Sequence, residues 1–268
     1  MPRYKLILEY DGTGLVGWQR QPNGPSVQEI LETAFAKLAG EPIFVQCAGR
    51  TDAGVHALGQ VAHTDLPRDY EPDEIRGAIN FHVRPEAVAV LAVERAPPDF
   101  HARLSATRRR YLYRILNRRA PPALERNHVW HLGVALDADA MAAGARQLLG
   151  HHDFTSFRAS ECQANTPMKT LDRLDVFRRG EEIHIEAAAR SFLHHQVRNM
   201  VGTLRLVGTG QWQPEDVGKA LAARDRSAAG PTAPPDGLYL VEVGYEPLGR
   251  AADPVGDPAD TDAEKNVE

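Results

Sequence analysis

Polar and apolar residues alternate from Tyr4 to Tyr10, which predicts a strand. Ser26 stands three residues before Glu29, a capping-box spacing, and Val27, Ile30, Leu31, Ala34, Phe35 and Leu38 share one helical face. A capped amphipathic helix is therefore predicted to run up to Gly40. A strand around Ile43 to Ala48, a GRTDAG turn, a strand from Gln60 to Leu66, a helix from Asp73 to His82 and a strand from Ala87 to Val93 follow. The second half repeats this order. It has a strand from Arg108 to Leu116, a helix from Ala138 to Leu149, and a hairpin of Leu171 to Phe177 with Glu182 to Ala188 turning near Gly180. A long helix from Leu193 to Val207, a short one after Pro214 and a strand from Tyr239 to Tyr245 complete it. Both halves read β-α-β-β-α-β, the split-βαβ order. The expected fold is α+β, with two tandem ferredoxin-like halves forming a continuous, mostly antiparallel sheet, helices on one side and a groove left open. The expected domains are 1–105, 106–248 and an acidic tail at 249–268.

Charge changes this picture locally. The chain of 268 residues carries −5, and Gly249 to Glu268, with six acids against Arg250 and Lys265, accounts for −4 of it. That tail is poor in large apolar residues and is expected to be disordered. The body is left with −1, yet Arg103 to Arg119 holds seven arginines and no acid: Arg103, Arg108, Arg109, Arg110, Arg114, Arg118 and Arg119. Such a stripe can bind polyanions or be a solvated strand face. Tyr111 and Tyr113, interleaved with Arg110 and Arg114, have the composition of a base-stacking surface, and equally of core tyrosines in a sheet. No run of about 18 apolar residues and no apolar signal core occurs, so a cytoplasmic location without a membrane is expected. Cys47 and Cys162 are expected to be free thiols.

Several motifs carry possible chemistry. Gly12 to Gly17 matches G-x-G-x-x-G, but Pro22 and Pro25 intervene before the helix, so a turn needing glycines is preferred to a dinucleotide site. His184-Ile185-Glu186 lacks the P-C-x-x-C that a zinc deaminase needs. His151-His152 and His194-His195 are adjacent pairs; on a helix they diverge by about 100° and are not expected to share a metal. Gly49-Arg50-Thr51-Asp52-Ala53-Gly54-Val55-His56-Ala57 places a cation, an acid and an imidazole within seven residues. Asp52 there is either the acceptor of an Asx turn or an accessible carboxylate that small neighbours let a planar substrate approach. Arg198, beside the apolar stripe of Val197, Val201 and Leu204, needs an acidic partner if it is buried, and Asp52 is one candidate.

The segments YDGTGLVGWQRQPNGPSVQ, GRTDAGVHALGQVAH, FHARLSATRRRYLY, HDFTSFRASECQANTP, SFLHHQVRNMVGTL and DGLYLV, in this order, resemble the TruA family of tRNA pseudouridine synthases. Leu58 and Met168-Lys169 depart from its usual pattern. The resemblance implies an enzyme that isomerises uridines 38 to 40 (tRNA numbering) of the anticodon stem-loop, without cofactor or metal, as a homodimer with a central RNA-binding cleft. It implies that Asp52 is the catalytic carboxylate, that Arg198 pairs with it, that Tyr111 packs on the target base and that Arg50 helps to flip it. His56, Arg103, Arg108, Arg109 and Arg110 are expected to contact the RNA. The isomerisation breaks C1′–N1 and makes C1′–C5. The carboxylate acts by attack at C1′ or by removing the C2′ proton, and the sequence leaves both open.

Overall fold

Alternation from Arg3 to Tyr10 buries Tyr4, Leu6, Leu8 and Tyr10 on one side of strand β1 (Arg3–Tyr10). The computed structural model describes residues 1–162 and 164–245, so the acidic tail expected at 249–268 lies outside the described residues. Helix α1 (Val27–Ala39) starts behind Ser26, whose hydroxyl accepts the Glu29 amide at 3.3 Å, and stops at Gly40. It buries Val27, Leu31, Ala34 and Phe35, each worth about 1.5–3 kcal/mol for the larger side chains. Then come β2 (Gln46–Cys47), β3 (His56–Asp65), α2 (Pro72–His82) and β4 (Val88–Ala96). The second half contains β5 (Arg108–Leu116), β6 (Trp130–His131), α3 (Ala138–Arg146), β7 (Gly150–Asp153), β8 (Met168–Arg179) and β9 (Glu182–Ala189). Helices α4 (Gln196–Gly208) and α5 (Pro214–Ala223) and strand β10 (Leu238–Gly244) follow.

The described residues form an α+β structure with five α-helices and one mixed sheet of ten strands, ordered β4-β1-β3-β10-β5-β9-β8-β7, with β2 beside β3 and β6 beside β5. Strand β10 is the seam. It runs parallel to β3, pairing Tyr239 with His56, and antiparallel to β5, pairing Leu240 with Tyr111. Two strand spacings of about 4.8 Å thus separate the start of β3 from the middle of β5. Leu240 and Val243 belong to the core under the first half, whereas Leu238 belongs to the core under the second. Val55, just before β3, packs with the second core although it lies in the first half of the chain.

Four elements differ from the sequence expectation. The strand expected over Ile43 to Ala48 shrinks to two residues, because the Val45 amide turns to the Glu32 carboxylate on α1 at 3.2 Å. The short strands β6 and β7 carry no alternation long enough to read. The long helix starts at Gln196 rather than Leu193. The Gln196 side chain accepts the Leu193 amide at 2.8 Å, and His195 takes a left-handed conformation with φ 61.

Candidate active site

The segment between β2 and β3 is fixed from below. Tyr10 Oη and Thr51 Oγ1 lie 2.8 Å apart, and Gln60 Nε2 donates to the Gly49 carbonyl at 2.7 Å. The glycine-rich segment after β1 lies against the same loop. The Trp18 amide donates to Thr51 O at 3.0 Å and the Gly54 amide to Leu15 O at 3.3 Å. A Cβ at Gly17 would stand 2.4 Å from Thr51 O, and one at Gly12 would stand 2.2 Å from Val55 O. These two glycines of the G-x-G-x-x-G pattern therefore let two backbones touch.

Asp52 is not the acceptor of an Asx turn; the turn is closed by its backbone, with the Val55 amide donating to Asp52 O at 3.1 Å. Its carboxylate faces the start of α4. Arg198 Nη1 donates to Oδ2 at 3.2 Å, His195 Nε2 lies 3.4 Å from Oδ2, and His194 Nε2 lies 3.4 Å from Oδ1. Burial alone would push the Asp52 carboxyl up, but His194, His195 and Arg198 outweigh it and hold it below the ordinary carboxylate range. Arg198 is itself pinned by Nε donating to Ala233 O at 2.8 Å. The anion is thus assembled from a loop of the first half and a helix of the second.

Adjacent histidines 194 and 195 were expected to diverge on a helix. They precede it instead, their rings lie 3.9 Å apart, and both reach Asp52. The signal available in the sequence was Gln196, whose side chain bonds back and places the helix start after the pair. Tyr111 is half-buried beside this group, its ring edge-to-face with Phe192 at 5.2 Å. Burial and, after it, the Asp52 charge push the Tyr111 phenol well above its ordinary value, so it is neutral.

Two residues expected to contact RNA, His56 and Arg109, are buried in this structure. His56 is 2% exposed. Its Nε2 meets the carbonyls of Asn127 at 2.9 Å and Asp236 at 3.2 Å, and its Nδ1 accepts the Gly12 amide at 3.0 Å. Burial lowers its pKa, and the ring serves as a neutral brace between β3 and the second half. Arg109 is 8% exposed and spends its donors on backbone carbonyls: Ala48 at 2.8 Å, Arg103 at 2.9 Å, Ala106 at 3.4 Å and Arg190. Alternation along β5 puts Arg109 on the face of Tyr111 and Tyr113, and there it is sealed by the loops it ties. Arg108 and Arg110, on the opposite face, both pair with Glu242, at 3.1 and 2.8 Å. Much of the arginine stripe is therefore neutralised within the protein. Arg50 and Arg103 are exposed.

Among the described residues two groups have metal-compatible spacing, Asp52 with His194 and His195, and Asp11 with His56 and His128. In the first the Arg198 guanidinium already supplies the cation to the carboxylate. In the second the Gly12 amide takes the His56 lone pair.

The sequence model of the tRNA pseudouridine synthase family matches residues 6–104 and 145–246, most of the chain. The chain belongs to this family. It is 64% identical to tRNA pseudouridine synthase A of Paramagnetospirillum magneticum over 256 residues, covering 96% of this chain and all of that protein. It is 62% identical to the protein of the same name from Rhodospirillum centenum, over 91% of this chain and all of that one. The Rhodopseudomonas palustris protein of that name is 59% identical over 92% of this chain and all of its own length. Across the family match, the first block carries Asp52 and the second carries His194, His195 and Arg198, while Tyr111 lies between the blocks.

Proposed function

We propose that this chain is a tRNA pseudouridine synthase that isomerises uridines 38 to 40 of the anticodon stem-loop, with Asp52 as its catalytic carboxylate. The observation that carries the reading is the Arg198–Asp52 contact of 3.2 Å, an anion held ready by a residue from the other half of the chain. Asp52 acts on the sugar, at C1′ or at the C2′ proton. It must be ionised to do either, and the two histidines and Arg198 keep it so. The target base has to leave its stack, which costs a few kcal/mol. Tyr111 packs on the flipped base, Arg50 fills the space that it leaves, and Arg103 with Arg50 meets phosphates. Arg108 and Arg110 join them only by leaving Glu242.

The strand orders β4-β1-β3-β2 and β10-β5-β9-β8 support reading the fold as two tandem ferredoxin-like halves with the RNA cleft over their seam. The halves correspond to residues 1–105 and 106–248. We further infer a cytoplasmic homodimer that needs no cofactor or metal; among the described residues no helix is long and apolar enough to cross a membrane. The test is pseudouridine mapping on unmodified tRNA transcripts incubated with the purified chain. Conversion at positions 38 to 40 is expected. Tight tRNA binding with no uridine converted would reduce the protein to an RNA-binding module.

A further inference from the structure

Turning uridine into pseudouridine moves one proton: N1 of the base gains a hydrogen and C5 loses one. Asp52 is engaged with the sugar on either route, so the proton needs another carrier. We propose that His194 is that carrier, protonating N1 as the C1′–N1 bond breaks and taking the C5 proton once the C1′–C5 bond has formed. This rests on the isomerase reading given above.

The two oxygens of Asp52 are not equivalent. Oδ2 is held by Arg198 at 3.2 Å and faced by His195 at 3.4 Å. The His194 imidazole faces Oδ1 instead, at 3.4 Å. Oδ1, away from the Arg198 hydrogen bond, is therefore the oxygen placed to act on the sugar, and His194 is the ring beside it. During the reaction the base turns so that C5 comes to the place N1 has left, since each is bonded to C1′ in turn. A group fixed next to the oxygen that works at the sugar meets N1 on departure and C5 on arrival.

The bookkeeping of electrons closes on one imidazole. The C1′–N1 pair leaves with the base, and N1 takes the proton of the imidazolium. The C5–C6 π pair then forms the C1′–C5 bond. Loss of the C5 proton to the now neutral imidazole restores the double bond, and His194 returns to its starting form. The other candidates fit less well. Tyr111 is held neutral by burial, so its phenol is a poor acceptor. His195 sits on the anchored oxygen beside Arg198, and burial lowers its pKa. The groups that face His194 are Asp52, the His195 ring, Glu161 and Cys162, whose sulfur accepts the His194 amide at 3.4 Å. Asp52 raises the imidazole above its ordinary value, against some desolvation, which favours the imidazolium that donates to N1. His194 is also the more exposed of the two rings, 37% against 29% for His195.

The test uses single-turnover conversion of an anticodon stem-loop carrying uridine or 5-deuterouridine, with wild type, His194→Gln and Tyr111→Phe. His194→Gln is expected to bind the RNA within about twofold of wild type and to convert it about 10²-fold more slowly. It should also show a larger rate loss on deuteration at C5 than wild type. Added imidazole should restore part of the rate of His194→Ala, which decides the matter if His194→Gln loses RNA affinity. Conversion by His194→Gln within threefold of wild type, an isotope effect raised only in Tyr111→Phe, or no rescue of His194→Ala would each overturn the proposal. These outcomes differ from failure of the isomerase reading, in which wild type itself forms no pseudouridine.

Discussion

Arg198 donates to Asp52 across 146 residues of sequence, with Nη1 3.2 Å from Oδ2. The guanidinium is 13% exposed and the carboxylate 22%, so the pair works with little solvent screening. Its geometry is set from both sides, by the loop that Gly12 and Gly17 let approach and by the segment at Ala233 that holds Arg198 Nε.

Replacing Arg198 with Met should leave Asp52 with only its two histidines. Conversion is expected to fall about 10²–10³-fold, the loss typical of one charge-stabilising donor. Binding of the stem-loop should change far less than the rate. Single-turnover rates and affinities measured on the same preparation check this, and an equal loss in both would point to misfolding instead.

The site should leave a signature in stability against pH. Asp52 has a folded-state pKa below its ordinary value of 3.8, so its contribution is present above that value and is lost as pH falls through the lower, folded one. His194 has a folded-state pKa above 6.5, so its contribution is full below 6.5 and is lost as pH rises through the folded value. The difference in unfolding free energy between wild type and His194→Gln should therefore shrink from pH 6 to pH 8. Urea titrations across that range measure it, and a difference that grows with pH would reverse the assignment.

Much of this architecture is legible in the sequence. β1, α1, β5 and the hairpin of β8 and β9 follow from alternation, the Ser26 cap and Gly180, all of which are local signals. The pairing of Asp52 with Arg198 was a candidate from burial reasoning, and its partner choice came from family resemblance. What stayed hidden depends on tertiary context. Arg109 reads like its neighbours on the stripe, yet the carbonyls of Ala48, Arg103, Ala106 and Arg190 close around it. His56 reads as a site imidazole, and only the seam with β10 shows it stacked on Tyr239 at 4.7 Å and walled in. His194 and His195 read as helical, but the Gln196 side chain bonds back to Leu193 and the helix begins after them.

Gly17→Ala should disable the enzyme without changing any side chain that faces the substrate. The new methyl would meet Thr51 O at 2.4 Å, at a residue with φ +99. Backbone against backbone cannot be relieved by a rotamer change, so a cost of about 1–3 kcal/mol and a displaced Asp52 are expected. Thermal unfolding together with pseudouridine formation checks this; full activity would show that the close approach is dispensable.

The exposed and buried arginines should separate in a salt titration. Arg50→Ala is expected to weaken RNA binding and to reduce the slope of log affinity against log salt by about 1. Arg109→Lys cannot reproduce the fork of donors and should cost about 2–4 kcal/mol of stability, with the salt slope unchanged at temperatures where the protein stays folded. A reduced slope in Arg109→Lys would place that residue on the RNA after all.

The central claim, that Asp52 is the carboxylate that does the chemistry, is tested most directly by Asp52→Asn. The amide keeps the shape and the Arg198 neighbour but removes the charge. The measurement is pseudouridine at positions 38 to 40 of an anticodon stem-loop under single turnover, alongside its binding affinity. The prediction is no pseudouridine above background with RNA binding retained; conversion at a rate near that of wild type would contradict the account.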